Sequence, residues 1–310
     1  MPIAVVSARE CPVLGDVNFS VRRYALRALL ASCIAAAAFA LQAPMWMTAA
    51  SLGLSGCYFA SALIVVLNRN VVRGICVPFI RVLHGIVTEA DSIMQSVYLF
   101  PYTLFQRYHN APKKEGRPIL LVNGYFSFGS SWDVFRKRLS QQAGIGPIYT
   151  MNVGSFRSIQ TYAHQVRQRL STIEALTNRT DIILIGHSKG GLVCTDYVTS
   201  YRERYIPALI TIGSPLQGTF LARIAPGLDA AEMRSGSKFI SNLFRRSLPI
   251  GTKRLHVGSK ADLIVPLDSA LVSSDLPNVE HCQIDDLGHL ALIFSAQVAD
   301  RVGRFIMAIP

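Results

Sequence analysis

The sequence predicts an α/β fold over residues 116–310: a mostly parallel, doubly wound sheet with helices on both faces and a short cap. Two observations carry this. Short runs of Ile, Leu and Val alternate with stretches of helical period, the pattern of βαβ units. One run, Ile182-Ile183-Leu184-Ile185, passes directly into Gly186-His187-Ser188-Lys189-Gly190 and then into the helix-like Leu192-Val193-Cys194. A buried strand entering G-x-S-x-G and leaving as a helix is a sharp turn that holds a serine hydroxyl above the end of a sheet.

In chain order, strands are expected near 118–122, 147–151, 181–186, 207–213, 253–258 and 278–284. Helices are expected near 131–142, 158–176, 189–201 and 290–308. Residues 216–250 break the alternation and are expected to form the cap, with Phe220, Leu221, Phe239, Ile240, Leu243 and Phe244 as its apolar surface.

Serine is a weak nucleophile unless a base sits beside it, so the elbow has meaning only with partners. In a sheet of this kind they follow in the order acid, then histidine. Asp262 lies just past the strand-like Leu255-His256-Val257-Gly258, in the setting Asp262-Leu263-Ile264-Val265-Pro266. His289 follows Val279-Glu280-His281-Cys282-Gln283-Ile284, on the loop before the last helix. Alone, Asp262 reads as a loop cap and His289 as a helix N-terminal residue. In order, each beyond a strand end, they read with Ser188 as a catalytic triad. His187 belongs to the elbow, His256 and His281 lie inside strands, and His84, His109 and His164 precede the nucleophile. An oxyanion hole needs two backbone N–H groups, one from the residue after the nucleophile and one from the loop after an early strand. Here these are Lys189 and the loop Asn123-Gly124-Tyr125 after Pro118-Ile119-Leu120-Leu121-Val122.

These motifs resemble the α/β-hydrolases of the bacterial lipase type, close to the PGAP1-like lipases. The resemblance covers residues 116–310. It rests on Gly186-His187-Ser188-Lys189-Gly190-Gly191, on Leu121-Val122-Asn123-Gly124-Tyr125, on Ile212-Gly213-Ser214-Pro215-Leu216-Gln217-Gly218-Thr219, on Asp262 and on Gly288-His289-Leu290. It implies that Tyr125 supplies the second oxyanion N–H, and that the cap surface lines an acyl pocket. It also implies a serine hydrolase of lipid-like carboxylic esters that needs no cofactor and no metal. The departures are Asn123 for the usual His, Ser214 for Thr and Leu216 for His. An acyltransferase using the same triad, and a non-catalytic membrane scaffold on the same fold, are the alternatives.

The N-terminal third is different in kind. Half of the 310 residues are apolar, and the excess is concentrated early. From Tyr24 to Leu67 the only charge is Arg27. The runs 28–43 and 45–67 each approach the roughly 20 residues that cross a bilayer, with Gln42-Ala43-Pro44 between them. They are expected to form a transmembrane helical hairpin over 24–67, preceded by an N-terminal segment 1–23 and followed by an amphipathic connector 68–115. Arg22, Arg23 and Arg27 before it, Arg69 and Arg73 after it, and no charge in the turn put both ends in the cytoplasm. The catalytic domain would then face the cytoplasm at the inner membrane. A signal-peptide core ending at Ala38-Phe39-Ala40 is the alternative and would mean export.

The connector carries Phe79-Ile80, Val82-Leu83, Ile86-Val87 and Ile93-Met94 at helix-like spacing. It reads equally as packing against the catalytic domain or as a helix lying on the membrane. The net charge of +12 is spread along the chain without an aromatic pattern or a nucleic-acid module. It reads as a solvated basic surface rather than a nucleic-acid site, and attraction to anionic lipid headgroups fits a membrane-anchored enzyme better than nucleic acid does. The six cysteines lack metal-ligand spacing and read as small core residues.

Overall fold

The computed structural model describes residues 84–92, 115–125, 127, 129–246, 249, 251–272 and 278–310. The membrane-hairpin segment 24–67 and most of the connector lie outside them. Among the described residues no helix is long and apolar enough to cross a membrane.

Each of the six expected strand segments is a strand: β1 (Ile119–Val122), β2 (Ile148–Met151), β3 (Ile183–His187), β4 (Ala208–Ile212), β5 (Lys253–Ser259) and β6 (Val279–Ile284). They form one sheet in the order β2-β1-β3-β4-β5-β6, and every pairing is parallel. A parallel strand is covered on both faces, so it reads as a continuous apolar run rather than an alternating one. β1, β3 and β4 are fully buried along their length.

The pleat sends successive side chains to opposite faces, and the core divides accordingly. Leu120, Val122, Ile182, Leu184 and Leu209 meet Ile159, Val166, Leu170, Leu192 and Tyr197 on one side. Ile119, Leu121, Ile183, Ile185, Ile210, Leu255 and Val257 meet Trp132, Phe135, Leu139, Val298, Val302 and Phe305 on the other.

The first described helix, α1, spans 84–92. It is followed by α2 (Asp133–Ser140), α3 (Ile159–Thr177), α4 (Lys189–Ser200), α5 (Leu228–Glu232), α6 (Lys238–Arg245), α7 (Leu267–Ala270), α8 (Ala291–Phe294) and α9 (Ala296–Met307). The Ser158 hydroxyl accepts the Thr161 N–H at the start of α3, and Asn178 ends it in a left-handed conformation at φ 54°. Both are ordinary cap chemistry.

One expectation changes. The single helix at 290–308 is two helices, because Ser295 takes an extended conformation and its hydroxyl accepts the Val298 N–H. A serine cap inside an apolar run restarts the helix there.

The strand order reverses between β1 and β3. β1 is followed by β2 on one side, and the chain then crosses back to β3 on the other. Loops leaving the carboxyl ends of β1 and β3 diverge at this point, which is where open α/β sheets bind ligands. Between β4 and β5 the segment expected to form the cap carries α5, α6 and a 3-10 turn at Phe220–Arg223. Ile240 and Leu243 turn into the core. Phe220, Ile224 and Leu228 are exposed, as is Phe156 in the loop after β2.

Candidate active site

β3 ends at His187, and Ser188 is the turn into α4. Its backbone lies at φ 54°, ψ −126°. An L-residue held there stores on the order of 1–3 kcal/mol of strain, and keeps it only where the surroundings fix the chain. They do so here. The Ser188 N–H donates to the Ile212 carbonyl at the end of β4, 2.9 Å away. A Cβ on Gly190 would lie 2.2 Å from the Val122 carbonyl oxygen, and one on Gly186 would lie 2.4 Å from the backbone of Gly190. Only glycine at both positions lets the helix close down on β1 and on the strand it leaves.

Asp262 lies beyond β5 and His289 beyond β6. The Asp262 Oδ2 is 2.7 Å from His289 Nδ1. Its Oδ1 accepts the N–H groups of Ile264 and Val265, both at 2.8 Å. The carboxylate is fully buried and aimed by two backbone donors, so it can turn only one face to the imidazole. The His289 ring packs 4.7 Å, centroid to centroid, from the ring of His187, the residue before the nucleophile. The His187 Nε2 also lies 3.1 Å from the His289 carbonyl. A carbonyl only accepts, so that nitrogen carries the proton and donates it. The structure thus brings Asp262 and His289 together beside the elbow that carries Ser188.

Burial by itself would lower the pKa of His289. The charge and hydrogen bond of Asp262, with the charge of Glu89 behind, outweigh it and raise the net value above the ordinary imidazole range. His187 goes the other way: burial, and then the neighbouring His289, push it down to about 3. One imidazole of this tilted pair is therefore kept neutral while the other is readied to take a proton.

The loop after β1 passes directly against the nucleophile. A Cβ on Gly124 would lie 2.9 Å from the Ser188 Cβ. Tyr125 follows Gly124, and Lys189 opens α4, so the two residues expected to supply the oxyanion N–H groups flank the serine.

With this geometry in view, comparison with known proteins is informative. The family profile described as palmitoyl protein thioesterase matches residues 118–249. "Lysosomal thioesterase PPT2-B" of Xenopus laevis is 27% identical over 108 residues, 34% of this chain and 38% of that protein. The chain thus spans well under half the length of this curated relative. Among solved structures, the mature lipase BlEst2 of Bacillus licheniformis superposes with a TM-score of 0.53 at 16% identity, covering 64% of this chain and 94% of that one. Phospholipase PlaB of Legionella pneumophila superposes with a TM-score of 0.55 at 13% identity, covering 63% of this chain and 60% of that one. The chain has the α/β-hydrolase fold.

Three sets of side-chain contacts around the site were not legible in the sequence. The Lys189 side chain is fully buried, and its ammonium donates to Asp229 Oδ2 at 2.7 Å and to the Gly154 carbonyl. It also lies 4.5 Å from the Tyr162 ring centroid and 5.2 Å from that of Tyr125. Burial lowers its pKa, opposed by the Asp229 hydrogen bond and charge. Asp229 Oδ1 accepts the Phe156 N–H at 3.1 Å. A single buried ion pair therefore joins the elbow, the loop after β2 and the cap. The residue type at 189 was visible in the sequence; its partner 40 positions away was not.

The second is Asn123, which stands where related sequences are expected to carry His. Its Oδ1 accepts the Val153 N–H at 2.8 Å, and its Nδ2 donates to the Ser127 carbonyl and to Asn152 Oδ1. The amide pins the oxyanion loop from both its donor and its acceptor side. The third is Glu89 on α1, whose 84–92 segment packs against the hydrolase domain rather than away from it.

Cys194 and Cys282 are free thiols, Cys194 fully buried, in keeping with core roles for both.

Proposed function

We propose that the protein is a serine hydrolase of carboxylic esters with lipid-like acyl chains. The observation that carries the reading is the strained Ser188 elbow over the sheet end, with the buried Asp262–His289 pair beside it. In this reading the Ser188 Oγ attacks the acyl carbonyl while His289 Nε2 takes its proton. Asp262 holds the imidazole with Nδ1 protonated and stabilises the imidazolium. The N–H groups of Tyr125 and Lys189 hold the oxyanion as the carbonyl becomes tetrahedral. His289 then returns the proton to the leaving alcohol, and water, activated by the same imidazole, releases the acid from Ser188 and regenerates the free hydroxyl. The exposed apolar side chains Phe156, Phe220, Ile224 and Leu228 offer a surface to an acyl chain. With another alcohol in place of water, the same residues would perform acyl transfer.

A second reading, thioester hydrolysis, is favoured by the family profile across residues 118–249, a span that includes the elbow. Matched substrates separate the readings. The protein is expected to hydrolyse palmitoyl oxygen esters with higher kcat/KM than acetyl ones. A palmitoyl thioester hydrolysed better than its oxygen counterpart would move the assignment to thioesterase. Inertness towards both, with no fluorophosphonate uptake, would leave the scaffold alternative standing. Product analysis with an added acceptor alcohol tests for transfer.

The membrane hairpin over 24–67 belongs to the same proposal, supported by its two apolar runs and the arginines flanking them. It would hold the hydrolase domain on the cytoplasmic side, facing lipid esters of the inner leaflet. Protease added to inverted vesicles is expected to digest the domain, and protease added to intact cells to leave it whole. The opposite pattern, or a mature N-terminus at Leu41, would overturn the hairpin in favour of export.

A further inference from the structure

Helix α1 buries an unusual face. Gly85, Thr88, Glu89 and Ser92 are buried, and their i, i+3, i+4, i+7 spacing makes them one stripe. Ile86 and Val87, the apolar pair on this helix, are only half-buried. A polar stripe facing inward is costly unless every group finds a partner. The Ser92 hydroxyl donates to the Thr88 carbonyl at 2.7 Å, and Thr88 Oγ1 accepts the Gly288 N–H at 3.2 Å. Glu89 Oε2 accepts the Leu290 N–H at 2.7 Å and the Ala291 N–H at 3.3 Å. All three amides belong to the segment that carries His289.

The fit is close at both the histidine loop and the acid loop. A Cβ on Gly288 would lie 2.5 Å from Glu89 Oε2, and one on Gly85 would lie 2.7 Å from the Cβ of Ala261, next to Asp262. At the other end of the stripe His84 Nδ1 lies 2.8 Å from the Asp286 carbonyl oxygen. One nine-residue helix therefore backs both the acid loop and the histidine loop, roughly 200 residues further along the chain.

We infer that Glu89 is a positioning residue of the catalytic centre: its buried carboxylate clamps the His289 loop through Leu290 and Ala291 and sets a second negative charge behind the imidazole. This rests on the Ser188–His289–Asp262 reading. The charged and titratable groups around the pair can be named. His289 faces Asp262 at Nδ1, Glu89 behind and the neutral His187 against its ring. Glu89 faces His289 and, more remotely, Asp262. Burial, and secondarily Asp262, raise the Glu89 pKa, while His289 and the two amide donors lower it, leaving it at about 7. Each of the two groups shifts the other, Glu89 raising His289 and His289 lowering Glu89, so their protonation is coupled. As Glu89 ionises, it favours the imidazolium that forms when the serine proton is taken.

The test uses the full chain with Glu89→Gln and Thr88→Val. Gln keeps an acceptor for the amides but removes the charge. Glu89→Gln is expected to lower kcat between about tenfold and a hundredfold with KM little changed. It is also expected to move the acid limb of kcat/KM to lower pH, because His289 loses a neighbour that favours its protonated form. Thr88→Val removes an acceptor without changing charge and should lower Tm while leaving the pH limb in place. A Glu89→Gln profile superimposable on the wild type, with unchanged kcat, would overturn the inference. So would an equal shift of the limb in Thr88→Val.

Should the Gln variant fail to fold, NMR titration of the wild-type His289 imidazole decides. Two coupled steps support the pair, and a single step at or below the ordinary imidazole value refutes it. The imidazole readout does not depend on turnover. A protein whose activity survives Ser188→Ala would therefore refute the triad separately from the Glu89 contact.

Discussion

Replacing Ser188 by alanine is expected to leave a folded protein whose ester hydrolysis falls on the order of 10⁵-fold or more and which no longer takes up a fluorophosphonate. The fold should survive because the substitution removes only Oγ. The Ser188 N–H bond to Ile212 and the close approach of Gly190 to Val122 are backbone features that alanine retains. Alanine also meets the same strain at φ 54° that serine does. In the proposed mechanism the loss is large because no other atom takes over: without Oγ, His289 would have no nucleophile to deprotonate, and only the oxyanion donors and binding would remain. Such donors by themselves give a residual rate well above water, so the variant should be slow rather than inert. Circular dichroism and Tm check the fold, and active-site labelling checks the assignment. Undiminished labelling of Ser188→Ala would move the nucleophile elsewhere.

How far this centre could be read from the sequence depends on how local its signals are. The elbow is local: its glycines, its serine and the strand before it lie within a dozen residues, and each has a steric reason to be there. The central strands β1, β3 and β4 are also local signals, because a parallel strand covered on both faces reads as a near-continuous apolar run; β6, with Glu280, His281 and Gln283, had to be read from its place in the alternation. Asp262 and His289, which the structure pairs at 2.7 Å, were singled out by order and by position beyond a strand, which amounts to reading the topology. What failed to appear depends on contacts between distant segments. Glu89 sits in a stretch whose apolar residues suggested an ordinary amphipathic helix. Its packed face proved to be the polar one, and its partners at 290 and 291 leave no trace near residue 89. The Lys189–Asp229 pair likewise needs the cap folded back over the elbow. Ser295 was a different failure: its cap was local and visible, but the apolar run on either side outweighed it.

The acid offers the second large effect. Asp262→Asn is expected to lower kcat about 10⁴-fold, whereas Asn at Asp268, Asp285 or Asp286 should change activity little. The four aspartates sit in different surroundings. Asp285 pairs with Lys260 at 2.8 Å and Asp286 lies 3.6 Å from His84, both side chains about half exposed. Asp268 is exposed in the first turn of α7. Pairs of this kind at the surface contribute little.

Asp262 is fully buried, held at Oδ1 by the Ile264 and Val265 amides and turned through Oδ2 to His289 Nδ1. In the Asn variant the side-chain oxygen must stay with those two N–H donors, since an NH₂ cannot accept from them. The NH₂ therefore faces His289 and donates to Nδ1. The imidazole proton would then move to Nε2, the atom that accepts from Ser188 in the proposed mechanism, and the neutral base would be lost in its useful tautomer. The geometry should be nearly unchanged while the chemistry stops, so Tm and fluorophosphonate reactivity should separate: the first near wild type, the second slowed in step with kcat. An active Asp262→Asn protein beside an inactive Asp285→Asn or Asp286→Asn one would place the acid on the β6 loop instead.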